Sequence, residues 1–234
     1  MTPKPHVSTI LFLHGALGTS EDMRALRDLI EQKGHKTLAF NFSGHGISSA
    51  WPAEFRIDLF ARDLDHFLKE HALKKITIFG YSMGGYVALY HKAHFEDSPI
   101  DQIFTYGTKF NWSAATVARE LPMLAPDHLS EKFPQYAEVL KKKHGDRWKA
   151  LLLSTAHMMQ NLEKLDGLTR DDVSSIEIPV SLILGEQDRM VTQEETKTFG
   201  SWLHHHRIQV IGHSKHELEK ANLTELSQLL LKDL

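Results

Sequence analysis

The chain contains no cysteine, which removes disulfide cross-links, a thiolate nucleophile and cysteine-ligated zinc from consideration. Long hydrophobic runs are also missing. The apolar stretch before His14, "TILFL", is too short for a membrane span or the core of a signal peptide, so a cytoplasmic protein without a membrane partner is expected. Basic blocks are scarce. The densest, "LKKKHGDR" (140–147), reads as the solvated face of a helix, and with a formal net charge of −3 no nucleic-acid partner is expected. Phosphate-binding signatures are absent as well: "GALGTS" has neither the lysine nor the spacing of a P-loop, and no GxGxxG follows the first strand.

What is present has the rhythm of a layered α/β protein. Short runs rich in β-branched and aromatic residues ("TILFL", "KTLAFNF", "KITIFGY", "QIFTYG", "PVSLILG", "RIQVI") alternate with longer amphipathic segments. Most are apolar almost throughout, as expected for strands covered on both faces. The helices between them show a 3.6-residue stripe, with Met23, Leu26, Leu29 and Ile30 in one and Phe60, Leu64, Phe67 and Leu68 in the next. The pattern predicts a mostly parallel sheet of about six strands flanked by helices. From Trp112 onward no strand is evident until "IPVSLILG". Residues 112–172 are therefore read as an all-helical cap inserted into a core made of 1–111 and 173–234. The chain's 234 residues suffice for one core carrying such a lid.

One stretch carries chemistry. "FGYSMGGY" (79–86) follows an apolar strand and holds Ser82 between Gly80 and Gly84, a G-x-S-x-G pattern. A serine lifted out of the backbone on a strained strand-to-helix turn needs a glycine on each side, because other side chains would collide with the approaching helix. Ser82 is read as a nucleophile.

With "LFLHGALGT" (11–19), "NFSGHGISS" (41–49) and "LILGEQDRMV" (182–191), the elbow resembles, in order, the motifs of the α/β-hydrolase family. The resemblance covers nearly the whole chain. It implies a Ser–acid–His arrangement in which a base activates the serine and a buried acid orients the base. Asp188 is the implied acid, with Glu186 as the nearer-to-strand alternative. The strand before it ends "TYGTKFNW", without a carboxylate. For the base, "VIGHSKHELEK" (210–220) offers His216, which matches the family's register from Val210, and His213, which imitates its Gly-His dipeptide. The family's oxyanion hole maps onto the backbone N–H groups of Ala16 and Met83, and His14 and His45 become residues that brace loops. Because only a few residues precede "TILFL", the first edge strands of the larger family sheet are expected to be missing.

The remaining signals are weaker. Sixteen histidines include "HHH" at 204–206, but consecutive residues diverge, and His91 and His94 have no indicated third partner, so no metal is expected. No cofactor is implied. The 112–172 segment is rich in aromatic and methionine side chains such as Trp112, Trp148, Met158 and Met159, which suits a small-molecule substrate with an apolar acyl or alcohol group. "HGALGTSEDM" and "GYSMGG" look similar to small lyases of menaquinone synthesis and to compact carboxylesterases. The lyases place an arginine after the elbow glycines to hold an acidic substrate, where this chain has Tyr86. "TKFNW" resembles a subgroup of small bacterial hydrolases. Three readings follow: an esterase-type serine hydrolase, a lyase or C–C-bond hydrolase using the same residues as a base, or a binding module without catalysis. Monomer and homodimer are equally compatible with the sequence.

Overall fold

The apolar runs between the amphipathic segments all join a single sheet. The structure, a computed structural model, describes residues 8–47, 50–164 and 167–234. The opening "MTPKPHV", the two serines that end "NFSGHGISS" and two positions of the 112–172 segment lie outside the described residues.

Strands β1 (Thr9–Leu13), β2 (Lys36–Ala39), β3 (Ile76–Tyr81), β4 (Ile100–Tyr106), β5 (Val180–Gly185) and β6 (His206–Ile211) form one sheet in the order β2-β1-β3-β4-β5-β6. Every pairing is parallel. Parallel neighbours require crossovers, and the helices supply them: α1 (Arg24–Glu31), α2 (Ile57–Glu70), α3 (Met83–His94), α4 (Ala114–Glu120), α5 (Pro126–Lys132), α6 (Pro134–His144), α7 (Trp148–Lys164), α8 (Arg170–Ser174), α9 (Gln193–Gly200) and α10 (Leu223–Lys232). Between β4 and β5 the described residues contain helices and turns only.

Alternation along the strands sorts the core into two layers. Ile10 and Phe12 of β1 face one way, with Met23, Leu26 and Ile30 near and within α1 and Leu226 and Leu230 of α10. Leu11 and Leu13 face the other way, toward Phe60 and Leu64 of α2, Val87 of α3 and the apolar side chains of α5 to α7. Among the described residues no helix is long and apolar enough to cross a membrane.

The second strand stops earlier than the run "KTLAFNF" suggests. After Ala39 the backbone leaves the sheet, because later groups find partners elsewhere. The Phe42 N–H donates to Nε2 of His14 at 3.2 Å, and the Ser43 N–H and Oγ donate to the Asp63 carboxylate of α2 at 2.8 and 2.9 Å. Phe42 itself is completely buried. The run ends on an apolar residue, but Phe42 fills the core from a loop.

All six strands point the same way, so the loops after β1, β3, β4, β5 and β6 gather at one edge. In an open α/β sheet that carboxyl edge is where ligands bind.

Candidate active site

Ser82 is the last residue before α3, at φ +49° and ψ −115°, a left-handed conformation that costs a residue with a β-carbon roughly 1–2 kcal/mol. Its surroundings enforce it. The Ser82 N–H donates to the Tyr106 carbonyl at 2.8 Å, and its own carbonyl accepts from the Gly85 N–H at 3.1 Å and from Thr108 Oγ1 at 3.0 Å. The flanking glycines are sterically required. A β-carbon on Gly80 would stand 2.4 Å from the backbone of Gly85, and one on Gly84 would stand 2.4 Å from the Leu13 carbonyl oxygen.

The loop after β1 lies directly beside the serine, since a β-carbon on Gly15 would be 3.2 Å from Cβ of Ser82. A turn closed by Gly18 N–H to Gly15 carbonyl, at 3.1 Å, places Ala16 and Leu17 at its centre, with Leu17 at φ +60°. The Gly15 carbonyl also accepts from Nδ1 of His14 at 2.8 Å. Because that carbonyl and the Ala16 N–H belong to one peptide plane, holding the oxygen from behind turns the N–H the opposite way. Met83 opens α3, so its N–H is one of the donors at a helix start that have no partner within the helix.

His14 and His45 are fully buried, and their rings lie 4.9 Å apart. Burial holds His14 down to about 4, and burial with the neighbouring His14 drives His45 well below its ordinary value. Both are therefore neutral near pH 7. Neutrality suits His14, whose Nε2 must accept the Phe42 N–H while Nδ1 donates.

Across the edge of the sheet, His216 and Asp188 meet. Nδ1 of His216 is 2.9 Å from Oδ2 of Asp188, and the carboxylate side chain is inaccessible to solvent. The other oxygen, Oδ1, accepts the N–H groups of Met190 at 2.8 Å and Val191 at 2.9 Å. Burial works against the charge on Asp188. The His216 hydrogen bond and charge, together with the two backbone donors, outweigh it and hold the carboxyl below its usual range. Oδ2 is left to orient the imidazole.

His213 and Glu186 form a separate pair on the outside. His213 is exposed, sits at φ +53° and donates its backbone N–H to Oε2 of Glu186 at 3.0 Å. His216 is buried, its ring 5.7 Å from that of Tyr81 and its loop tied down by the Tyr106 hydroxyl, which donates to the Lys215 carbonyl. The structure brings His216, not His213, to Asp188.

Several residues that shape this edge escape a reading of the sequence. Gly107, at φ +61°, packs against His216 and Asp188. Lys109, nearly fully buried, donates from Nζ to the Met190 carbonyl at 2.5 Å and pairs with Glu195 at 3.6 Å. The Glu195 carboxylate also accepts the N–H groups of Phe110 at 3.1 Å and Asn111 at 3.4 Å. These contacts fasten the loop after β4 to the loop that carries Asp188. The "TKF" triplet and the T-x-x-E helix start at 192–195 were the available signals, but nothing in either says that they meet. Among the described residues no group of three or more His, Asp or Glu side chains is arranged to hold a metal ion.

A parallel sheet with a serine on a left-handed strand-to-helix turn, and an Asp–His pair at the same edge, defines the nucleophile-elbow class of α/β proteins. A family model described as "alpha/beta hydrolase fold" matches residues 8–164, and the chain belongs to that family, whose members are in general enzymatic hydrolases. It is 27% identical over 124 residues to a 2-succinyl-6-hydroxy-2,4-cyclohexadiene-1-carboxylate synthase of Serratia proteamaculans, a match covering 53% of this chain and 47% of that one. It is 32% identical over 81 residues to the sn-1-specific diacylglycerol lipase ABHD11 of Danio rerio, covering 34% of this chain and 25% of that one. The matches thus span half or less of either relative. Among solved structures, NosK from Streptomyces actuosus superposes with a TM-score of 0.80 at 21% identity, covering 97% of each chain, a likeness of fold.

Proposed function

We propose that the chain is a serine hydrolase of the carboxylesterase type. Ser82 Oγ attacks the ester carbonyl and its proton passes to Nε2 of His216. Asp188 keeps the other ring nitrogen protonated and stabilises the imidazolium. The negative charge that develops on the carbonyl oxygen falls to the N–H groups of Ala16 and Met83. Collapse of the tetrahedral intermediate expels the alcohol, which takes the proton from His216. Water, deprotonated by the same imidazole, then releases the acid and regenerates Ser82. Residues 112–172 act as a cap over this edge, and their apolar side chains favour an apolar acyl or alcohol group.

The observation that carries the reading is the Asp188–His216 contact at 2.9 Å, with the remaining carboxylate oxygen fully occupied by backbone donors. A carboxylate so held orients the imidazole beside it, an arrangement for which a binding module has no use.

The similarity to a synthase that bears the name of a cyclohexadiene carboxylate favours a second reading, a lyase acting on an anionic substrate. Tyr86 weighs against it. It occupies the position where the resembling lyases carry an arginine, and its Oη accepts the Leu168 N–H at 2.7 Å. The side chain there is an anchor for the helical segment, with no charge to offer a carboxylate.

The test is covalent labelling with a fluorophosphonate at pH 7–8, read by intact mass. Wild type is compared with Ser82→Ala, His216→Ala and His213→Ala. Labelling is expected in wild type and His213→Ala and absent from the other two. A folded wild type that does not label removes the hydrolase reading. Labelling lost in His213→Ala but kept in His216→Ala reassigns the base.

A further inference from the structure

His144, the last residue of α6, has almost no exposed surface and reaches out of the helical segment into two loops of the sheet edge. Its Nδ1 accepts the N–H of Gly46 at 2.9 Å, and its Nε2 lies 3.0 Å from the carbonyl of Leu17. An acceptor at Nδ1 and a carbonyl at Nε2 specify one neutral tautomer, with the proton on Nε2. Burial pushes the imidazole toward that neutral form. Lys143 and Arg147 add to the effect, His45 faces it with ring centres 6.2 Å apart, and the Leu17 bond and Asp22 pull the other way.

Leu17 is the residue that makes the bond informative. A leucine at φ +60° is held in a conformation it resists, at the centre of the turn whose other central residue is Ala16. The carbonyl tether to His144 opposes relaxation of that turn. Neighbouring contacts close from the same side. Lys143 pairs with Asp22 at 2.7 Å, Asp22 accepts the Thr19 N–H at 3.0 Å, and Arg147 donates to the Ile47 carbonyl at 2.6 Å.

We propose that His144 is a positioning residue. Seated with the helical segment, it locks the Leu17 carbonyl and so aims the Ala16 N–H at the developing oxyanion, making assembly of the site depend on the cap being in place. The proposal rests on the serine-hydrolase reading above. It predicts that the bond to Leu17, more than the bond to Gly46, governs turnover.

Three variants separate the two bonds. In His144→Gln the amide N–H reaches toward Leu17. In His144→Asn the amide oxygen reaches only the Gly46 N–H. His144→Phe keeps bulk and neither bond. The readouts are kcat and KM on p-nitrophenyl butyrate, the rate of fluorophosphonate labelling and the melting temperature. Outright loss of an oxyanion donor costs about 10²–10³ in rate, so Asn and Phe are expected to lose about ten- to a hundredfold in kcat and in labelling rate. KM should barely move, and Gln should recover most of the rate. Should Phe fail to fold, the Asn–Gln pair still decides. Equal kcat in Asn and Gln overturns the proposal, as does a change confined to KM or a loss that merely follows melting temperature. If wild type turns over the ester and labels at Ser82 but the variants match it, only the role of His144 falls. If wild type does neither, the hydrolase reading falls and takes this one with it.

Discussion

Gly107 lies flat against the His216–Asp188 pair: a β-carbon at position 107 would stand 3.1 Å from Nδ1 of His216 and 3.4 Å from Oδ2 of Asp188. The imidazole can keep its place only while this side chain is missing. Gly107→Ala therefore presses on the hydrogen bond itself and also imposes φ +61° on an alanine. We expect kcat to fall at least about tenfold, since small displacements at a reacting centre are costly. Stability should fall by about 1 kcal/mol. Ester turnover and a thermal melt check both, and an unchanged kcat would mean the ring can shift without harm.

The strain at Ser82 makes a separate prediction. Ser82→Gly removes the left-handed penalty, so it should be about 1 kcal/mol more stable than Ser82→Ala, although both lose labelling. Gly84→Ala should behave oppositely. Its new β-carbon meets the Leu13 carbonyl oxygen at 2.4 Å, where no flexible side chain can yield, and the loss should reach about 3 kcal/mol or more. Urea denaturation of the three variants measures these differences. Equal stability of Gly and Ala at position 82 would argue that the turn stores no strain.

Lys109 and Glu195 form a largely buried ion pair, their side chains 5% and 10% exposed. Lys109→Met leaves a buried carboxylate without its cation and should cost about 3–5 kcal/mol. The double variant Lys109→Met, Glu195→Gln should regain part of that loss, because the stranded charge is gone. A double-mutant cycle by chemical denaturation reads the coupling. Strict additivity would mean the pair is not an interacting unit.

Acid should destabilise the fold well before the carboxylates titrate. His14 and His91 are held at about 4, and His45 and His144 are also lowered, in each case chiefly by burial. Below about 6.5 the unfolded chain binds protons that these buried rings refuse, so the unfolded state gains. Their contribution is fully present above about pH 6.5 and is lost as the pH falls toward about 4. Asp188, lowered from its usual range, loses its own contribution only further down, as pH falls below the ordinary carboxylate value. Melting temperatures across pH 7.5 to 4, at constant ionic strength, should decline through this window. A flat profile would indicate that water reaches these histidines.

Much of the architecture was readable because its signals are local. Apolar runs fix strands, glycines beside Ser82 fix the turn, and the loop after β5 holds Asp188 within a few residues of the strand end. What escaped reading depends on distance along the chain. His144 meets Leu17 across 127 positions, and Glu195 meets Phe110 across 85. No periodicity links such partners. The two histidines near the C-terminus differ for an equally non-local reason. One spends its backbone N–H on Glu186 and faces solvent, while the other is enclosed by Tyr81, Gly107 and Asp188. The second strand ended early because Phe42 and Ser43 bond to His14 and Asp63, which again lie far away in sequence.

Among the described residues, the helical segment is stitched to the rest of the chain at several points. Glu195 holds Phe110 and Asn111 just before it, His144 grips Leu17 and Gly46 midway, and Tyr86 holds Leu168 near its end. A piece sewn on at both hems and through the middle is a poor spare part. Exchanging it for the corresponding segment of a relative would strand the Leu17 carbonyl, the Gly46 N–H and the Tyr86 hydroxyl on the sheet side. If the segment caps the site as proposed, new substrate preferences come more readily from single substitutions within it than from transplanting it whole.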